Sequence, residues 1–320
     1  MAQQKQIDVY MVTGFLESGK TTFMKKFVLP EEVGKKVKFA LITFEEGEEE
    51  YDENSLKQRN IELFHLGKEQ LDEIYLTNLQ EKGNYNAIFV EYNGMYQFQD
   101  FINNMPESWA VVQVFVVMNA KTILLENSNM RSLVYDKLQY SDIAIFNRVS
   151  TMTNIEPLHK LVRAVSRQTT ILLQDEKTMR VQEDATVDTL PYDMNAPVVT
   201  IEDRDYAYFY RDLCENTNSY EGKTLKFKAL VGYNNAEKDK IIYIAGRRIM
   251  QCCAADIQFY GLACTNTSNS SPEQNTWYDL MGTIDVRYHS LYKKKGPVLN
   301  IISATKTEPL TGDNEVATFY

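Results

Sequence analysis

Short apolar runs alternate with helix-period segments through the first 178 residues. "IDVYMVTGF" (7–15), "KFALITF" (38–44), "NAIFVEYNG" (86–94), "VQVFVVMNA" (112–120), "DIAIFNRV" (142–149) and "TTILLQ" (169–174) are nearly continuous in apolar residues, as strands buried on both faces must be. Between several of them lie "EQLDEIYLTNLQEK" and "NIEPLHKLVRAVSRQ", where apolar positions recur every three or four residues. Strands joined by helical crossovers predict an α/β domain with a mostly parallel sheet. "GKTTFMKKFVLP" reads as one helix that stops at Pro30.

The pattern changes near residue 180. "VQEDATVDTLPYDMNAP" is polar, carries two prolines and has no period, which marks a linker. One helical segment follows, "DRDYAYFYRDLCENT", in which Tyr206, Tyr208, Phe209 and Tyr210 read as a packed face and Cys214 as core. Five strand-like runs come next, at 224–233, 240–253, 257–265, 276–289 and 298–308. Five aromatic and β-branched strands predict a small all-β barrel of the OB type. The expected organisation is a P-loop domain over 1–180, a linker over 181–196 and an OB-like domain over 197–320.

The formal charge of −10 sits mostly in the first part of the chain. "EEGEEEYDE" (45–53) alone holds seven carboxylates in nine residues. A duplex nucleic acid partner needs a basic face and is not expected. The basic stretch Lys293–Lys295 lies in a nearly neutral region, so a single-strand binder is disfavoured too. The longest apolar run, Ala110 to Met118 interrupted by Gln113, is half of a bilayer span. The opening "MAQQKQIDVY" has no apolar signal core. With only four cysteines, irregularly spaced, a reducing cytoplasmic setting is expected.

"GFLESGKTTF" (14–23) carries Gly14-x-x-x-x-Gly19-Lys20-Thr21 between a predicted strand and a predicted helix. Such a loop aims successive backbone N–H groups at phosphates, where the helix dipole also favours negative charge. Gly14, Glu17, Ser18, Gly19, Lys20, Thr21 and Thr22 are therefore the candidate phosphate cradle. Lys20 would reach the β- and γ-phosphates and Thr21 would offer its hydroxyl to Mg²⁺. Glu17 is unusual there, because a carboxylate a few ångströms from a triphosphate costs about 4 kcal/mol at an effective dielectric near 20. It must face outward, pair with a cation or approach the metal through water.

Glu91 ends the strand "AIFVE", with Gly94 three residues on. An acid followed by a flexible glycine fits a Mg²⁺-holding or water-positioning group and a switch hinge, so Lys20 and Glu91 are the candidate catalytic pair. "DIAIFNRVS" places Asn147 and Arg148 where a guanine-reading Asn-Lys-x-Asp would stand, with Ser150 in place of its Asp. A serine cannot accept two charge-assisted bonds from the base edge, a loss of about 1.5–3 kcal/mol. Guanine preference over ATP should be weak.

With these motifs in order, residues 8–174 resemble the CobW-type P-loop GTPases, which are metallochaperone-like. That family's "GFLGxGKTT" is matched by Gly14–Thr22, with Glu17 for the third glycine. Its "NEFGExxxD" is similar to "FEEGEEEYD", carrying over Glu45, Gly47, Glu48 and Asp52. Its "ExxG" is Glu91–Gly94, and its "ADxxxxNKxD" is similar to "SDIAIFNRVS". The resemblance implies GTP and Mg²⁺ as ligands, with Thr21, Glu45, Glu48 and Glu91 toward the metal. The family's Cys-x-Cys-Cys metal motif is absent, since residues 1–195 contain no cysteine. His65, alone in that region, reads as a structural residue.

Residues 186–320 resemble the C-terminal domain of the YcgQ-type permease-subunit family, through "TLPYD", "YEGKTLKFKALV", "GRRIMQCCAADIQFYGLAC" and "GPVL". That implies a membrane permease as partner and a link to metal homeostasis. "MQCCAADIQFYGLAC" gathers Cys252, Cys253, Asp256 and Cys264, a candidate thiolate site for Zn²⁺ with Asp256 or His289 completing it. A hairpin around "AAD" would argue against it. Neighbouring strand residues point to opposite faces, and Cys264 would lie about 20 Å along the strand. The function expected is GTP binding with weak GTPase activity. The alternative is a catalytically degenerate nucleotide-binding scaffold that recruits a permease.

Overall fold

The computed structural model describes residues 6–29, 37–45, 49–237, 240–266 and 272–319. The chain divides into two units, 1–186 and 187–320.

The first unit is built on strands β1 (Ile7–Thr13), β2 (Phe39–Thr43), β3 (Ile61–His65), β4 (Ala87–Glu91), β5 (Trp109–Asn119), β6 (Ile143–Val149), β7 (Thr170–Asp175) and β8 (Val181–Glu183). They lie in the order β3-β2-β4-β1-β5-β6-β7-β8. All neighbours are parallel except β7 and β8. The helices are α1 (Lys20–Phe23), α2 (Glu53–Gln58), α3 (Glu73–Gly83), α4 (Phe98–Asn104), α5 (Ile123–Asn129), α6 (Arg131–Gln139) and α7 (Glu156–Val165). Strand alternation divides β1 between two cores. Ile7, Val9 and Met11 pack with Leu76 and Leu79 of α3 and Phe98 and Phe101 of α4. Val12 packs with Phe23 of α1 and Leu56 of α2. All of β4 is buried, which explains its unbroken apolar run.

Two segments differ from expectation. The helix after the phosphate loop is α-helical only over Lys20–Phe23 and continues as a π-helical stretch, Met24–Val28, where the Leu29 amide reaches back to the Met24 carbonyl at 2.9 Å. Pro30 lies outside the described residues. Residues 181–183, read as linker, form the antiparallel strand β8. Asp184, just beyond it, takes a 2.5 Å bond with Nδ1 of the buried His159 on α7. That contact ties the segment to the first unit.

The second unit begins with β9 (Val199–Thr200) and α8 (Tyr206–Glu215), then β10 (Thr224–Glu237), β11 (Lys240–Ile249), β12 (Gln258–Asn266), β13 (Thr276–His289) and β14 (Lys294–Lys306). Antiparallel pairings link β10 to β11, β11 to β12, β13 to β14 and β10 to β13. A parallel pairing joins β12 to β14. The ring β10-β11-β12-β14-β13 therefore closes on itself, with the connectivity of an OB-type barrel. On α8, Tyr206, Phe209 and Leu213 are buried, as expected of a packed face. Cys214 is exposed instead of core, because one residue past Leu213 turns about 100° around the helix.

Lys137 on α6 is buried, its ammonium 3.2 Å from the Tyr96 carbonyl, 3.8 Å from the Asp136 carboxylate and 5.9 Å from the Phe15 ring centre. Burial, helped by the Lys20 charge and opposed by Asp136, lowers its pKa to about 8. The folded value lies below the unfolded one, so the penalty is fully present below pH 8 and fades as pH rises toward the unfolded value near 10.4. Lys137→Met should raise stability at pH 7 by about 1–2 kcal/mol after allowing for the Tyr96 carbonyl left unbonded. Thermal melts at pH 7 and pH 10 check this. An advantage that does not shrink at the higher pH would contradict it.

Candidate functional site

The C-terminal ends of β1, β2, β4 and β6 deliver residues to one crevice, where open α/β sheets bind their ligands. The loop after β1 opens at Gly14, whose φ is +151° and whose added Cβ would lie 2.2 Å from the Val117 carbonyl oxygen. Gly94 backs the same loop, where a Cβ would meet the Gly14 carbonyl oxygen at 2.2 Å. Any side chain at either position would push the loop out of place. Glu17 sits at φ +58° with its side chain exposed. The site therefore keeps a glycine-type backbone with a residue that pays steric strain, on the order of 1–2 kcal/mol.

Lys20 is 4% exposed. Its ammonium donates to the Phe15 carbonyl at 2.8 Å and pairs with Glu45 at 2.5 Å. Thr21 donates its hydroxyl to Glu91 at 2.7 Å, and Tyr51 donates to the other Glu91 oxygen. Burial raises the Glu91 pKa, and the bonds from Tyr51 and Thr21 only partly reverse it. Thr22 donates to Glu49 and holds that carboxyl low. A cavity of about 520 Å³ is lined by Glu17, Gly19, Lys20, Thr21, Glu45, Glu91 and others.

Asn147 is buried and donates from Nδ2 to the Ser18 carbonyl at 2.5 Å, while its Oδ1 has no hydrogen-bond partner among the described residues. Arg148 donates to the Glu17 carbonyl at 2.9 Å. Both therefore brace the phosphate loop from the end of β6. A second cavity, about 290 Å³, adjoins them and is lined by Phe27, Gln174, Glu176 and Met179 among others. Ser150 faces a turn instead, exchanging bonds with Thr153 and Met152.

The structure thus gathers Gly14, Glu17, Ser18, Gly19, Lys20, Thr21, Thr22, Glu45, Glu91, Gly94, Asn147 and Arg148 around one crevice. Glu48 and Gly47 lie outside the described residues. Asp52 caps α2 by accepting from the Asn54 amide. His65 is exposed at the end of β3. Tyr51, Glu49, Gln174 and Glu176 escaped sequence reading, although Tyr51 is the one aromatic residue inside the acidic run.

In the second unit, Cys252 and Cys253 do not lie on a strand. β11 ends at Ile249, paired with Gln258, so residues 250–257 form a loop closed by a short 3₁₀ turn at Ala254–Asp256. The turn brings one ligand atom each from Cys252, Cys253 and Asp256 within 4.8 Å of one another. Cys264 is buried in β12 and His289 ends β13, and neither joins the group.

The family model described as CobW/HypB/UreG, nucleotide-binding domain matches residues 8–172. The DUF1980 C-terminal domain, which is the YcgQ-type domain, matches residues 165–312. No curated protein matches the chain. Among solved structures, Zn(II)-bound YjiA GTPase from E. coli is 16% identical, covering 80% of this chain and 89% of its own, at a TM-score of 0.42. Hydrogenase maturation factor HypB from Archaeoglobus fulgidus is 14% identical, covering 53% and 81%, at 0.37.

Because the folded Glu91 carboxyl has a raised pKa, its ionised form penalises folding at neutral pH, and the penalty fades as pH falls through that pKa. Glu91→Gln imitates the protonated acid. It should melt above the parent at neutral pH, with the gap closing on acidification. An equal or lower melting point at neutral pH would contradict the assignment.

Proposed function

The chain belongs to the CobW/HypB/UreG nucleotide-binding family, and from that premise we propose that it binds GTP with Mg²⁺ and hydrolyses it slowly, in a metallochaperone-like role. The observation that carries the reading is the buried Lys20, held at the mouth of a glycine-tight loop with its charge balanced by the Glu45 side chain 2.5 Å away. An anionic phosphate can replace that carboxylate without leaving the cation unpaired, which would otherwise be costly.

In this reading the loop amides and Lys20 hold the phosphates, and Glu45 is released from Lys20 as they enter. Thr21 and Glu91, already 2.7 Å apart, are the residues that would hold Mg²⁺, with Glu45 freed to turn toward it. Bound Mg²⁺ would supply neutralisation of charge on the phosphate oxygens. Gly94, packed on Gly14, would transmit the state of the phosphates to the segment after β4. The base would enter the cavity beside Asn147, whose free Oδ1 suits a base-edge donor. Ser150 does not line that cavity, and the carboxylate that does, Glu176, is paired with Lys121, so discrimination against ATP should be modest. The two cations lining the phosphate cavity are Lys20 and Arg148. Arg148 is tied to the Glu17 carbonyl, so among the described residues lining the cavity no arginine is left to stabilise the transition state, and turnover should be slow.

A second reading is favoured by Glu17 and Ser150: a scaffold that binds nucleotide without turning it over, through which the second unit meets a membrane permease in the cytoplasm. No described helix is long and apolar enough to cross a membrane, so such a link would be a contact. GTP with Mg²⁺ at a hundred times Kd should stabilise the protein by about 2.7 kcal/mol, and Lys20→Ala should remove this. Phosphate release that depends on Lys20 supports the enzyme, and binding without it supports the scaffold. No thermal stabilisation by GTP and Mg²⁺ over buffer would contradict both.

A further inference from the structure

We propose that the loop between β11 and β12 is a metal site for a thiophilic d¹⁰ ion such as Zn²⁺, ligated by Cys252, Cys253 and Asp256 with one position open. It lies in the second unit and does not depend on the nucleotide reading.

Adjacent residues of an extended chain point to opposite sides, so two neighbouring cysteines rarely serve one ion. Here the strand has already ended at Ile249, and the 3₁₀ turn folds Asp256 back over both cysteines. A tetrahedral ion with Zn–S near 2.3 Å and Zn–O near 2.0–2.2 Å places its ligand atoms about 3.4–3.8 Å apart. The three atoms already lie within 4.8 Å, so rotamer adjustment is enough to close the site. All three residues are half-buried, which leaves a path for the ion.

Asp256 has two tasks, and its lone pairs suffice for both. One carboxylate oxygen accepts from the Gln251 amide at 2.8 Å. The other accepts from the Cys252 amide at 2.6 Å and the Cys253 amide at 3.1 Å. A carboxylate offers about four acceptor positions, so the oxygen facing Gln251 keeps one. Shaping the turn accounts for the three amide bonds to the carboxylate, and the Cys252 thiol also bonds to Asp256 and Cys253, so the three ligand groups already converge on one another. A metal would engage all three.

Two sulfurs and one oxygen select a soft or borderline ion over Mg²⁺ or Ca²⁺. Binding exchanges the two thiol protons, released to solvent, for the ion. Three protein ligands and an open fourth position suit a site that receives and passes on its ion, whereas closed four-ligand sites are structural. The first 195 residues hold no cysteine, so thiolate chemistry in this chain is confined to the second unit.

The test uses the reduced full-length protein, titrated with Zn²⁺ against a chromophoric chelator and with Cd²⁺ followed by its thiolate charge-transfer absorption. One equivalent should bind. Cys252→Ser and Cys253→Ser should each weaken Zn²⁺ binding by at least about tenfold, and Asp256→Asn by about 10–100-fold. The double serine variant should lose the Cd²⁺ band, with circular dichroism confirming that it folds. Cys214→Ser and Lys20→Ala should bind as the parent does, the latter separating this site from the nucleotide site. Failure of the reduced parent to take up either ion would overturn the proposal. So would a charge-transfer band that survives in the double variant.

Discussion

The first unit depends on how a buried ammonium is kept in balance. Lys20 is almost wholly out of water, and a lone charge there would cost several kcal/mol. The loop after β1 supplies the Phe15 carbonyl, and the segment after β2 supplies the Glu45 carboxylate. Next to them, β4 ends in Glu91, whose burial is eased by Thr21 and Tyr51. Three neighbouring strands therefore each finish on a group that the others help to pay for. Parallel strands with a shared C-terminal edge make this possible, and the tight contact of Gly94 on Gly14 sets the spacing.

The second unit answers a different constraint. Its closed barrel removes strand edges, and its buried Arg247 donates to the Asp203 and Asn314 carbonyls while lying over the Tyr206 ring. This arrangement pins the segment before α8 and the C-terminal turn to β11. Outside the strand pairing lies the loop at 250–257, shaped by the carboxylate of Asp256 and tied at Met250 to the Ala317 carbonyl. The cavity of the first unit is lined by carboxylates and hydroxyls, whereas every cysteine of the chain lies in the second unit.

Much of this was legible in the chain. Continuous apolar runs marked the parallel strands, and a phosphate loop set between strand and helix located the crevice. Asn147 could be placed because it ends an apolar strand. The less legible parts rest on tertiary contacts. The π-helical turn at Met24–Val28 has no local signature, and β8 is a strand only because β7 offers it an edge. The hairpin objection to Cys252 and Cys253 assumed that strand pairing ran to the turn, whereas it stops at Ile249. Glu49 and Tyr51 were hidden in an acidic run that reads as a solvated loop, and only the fold brings them to Thr22 and Glu91.

The central claim is that Glu45 holds the place at Lys20 that phosphate takes. It is tested most directly by the affinity for GDP in the absence of Mg²⁺, where Glu45 has no metal to serve and can only compete. Glu45→Gln should tighten that binding by about tenfold, the equivalent of roughly 1.4 kcal/mol. An affinity unchanged or weakened by the substitution would contradict the account.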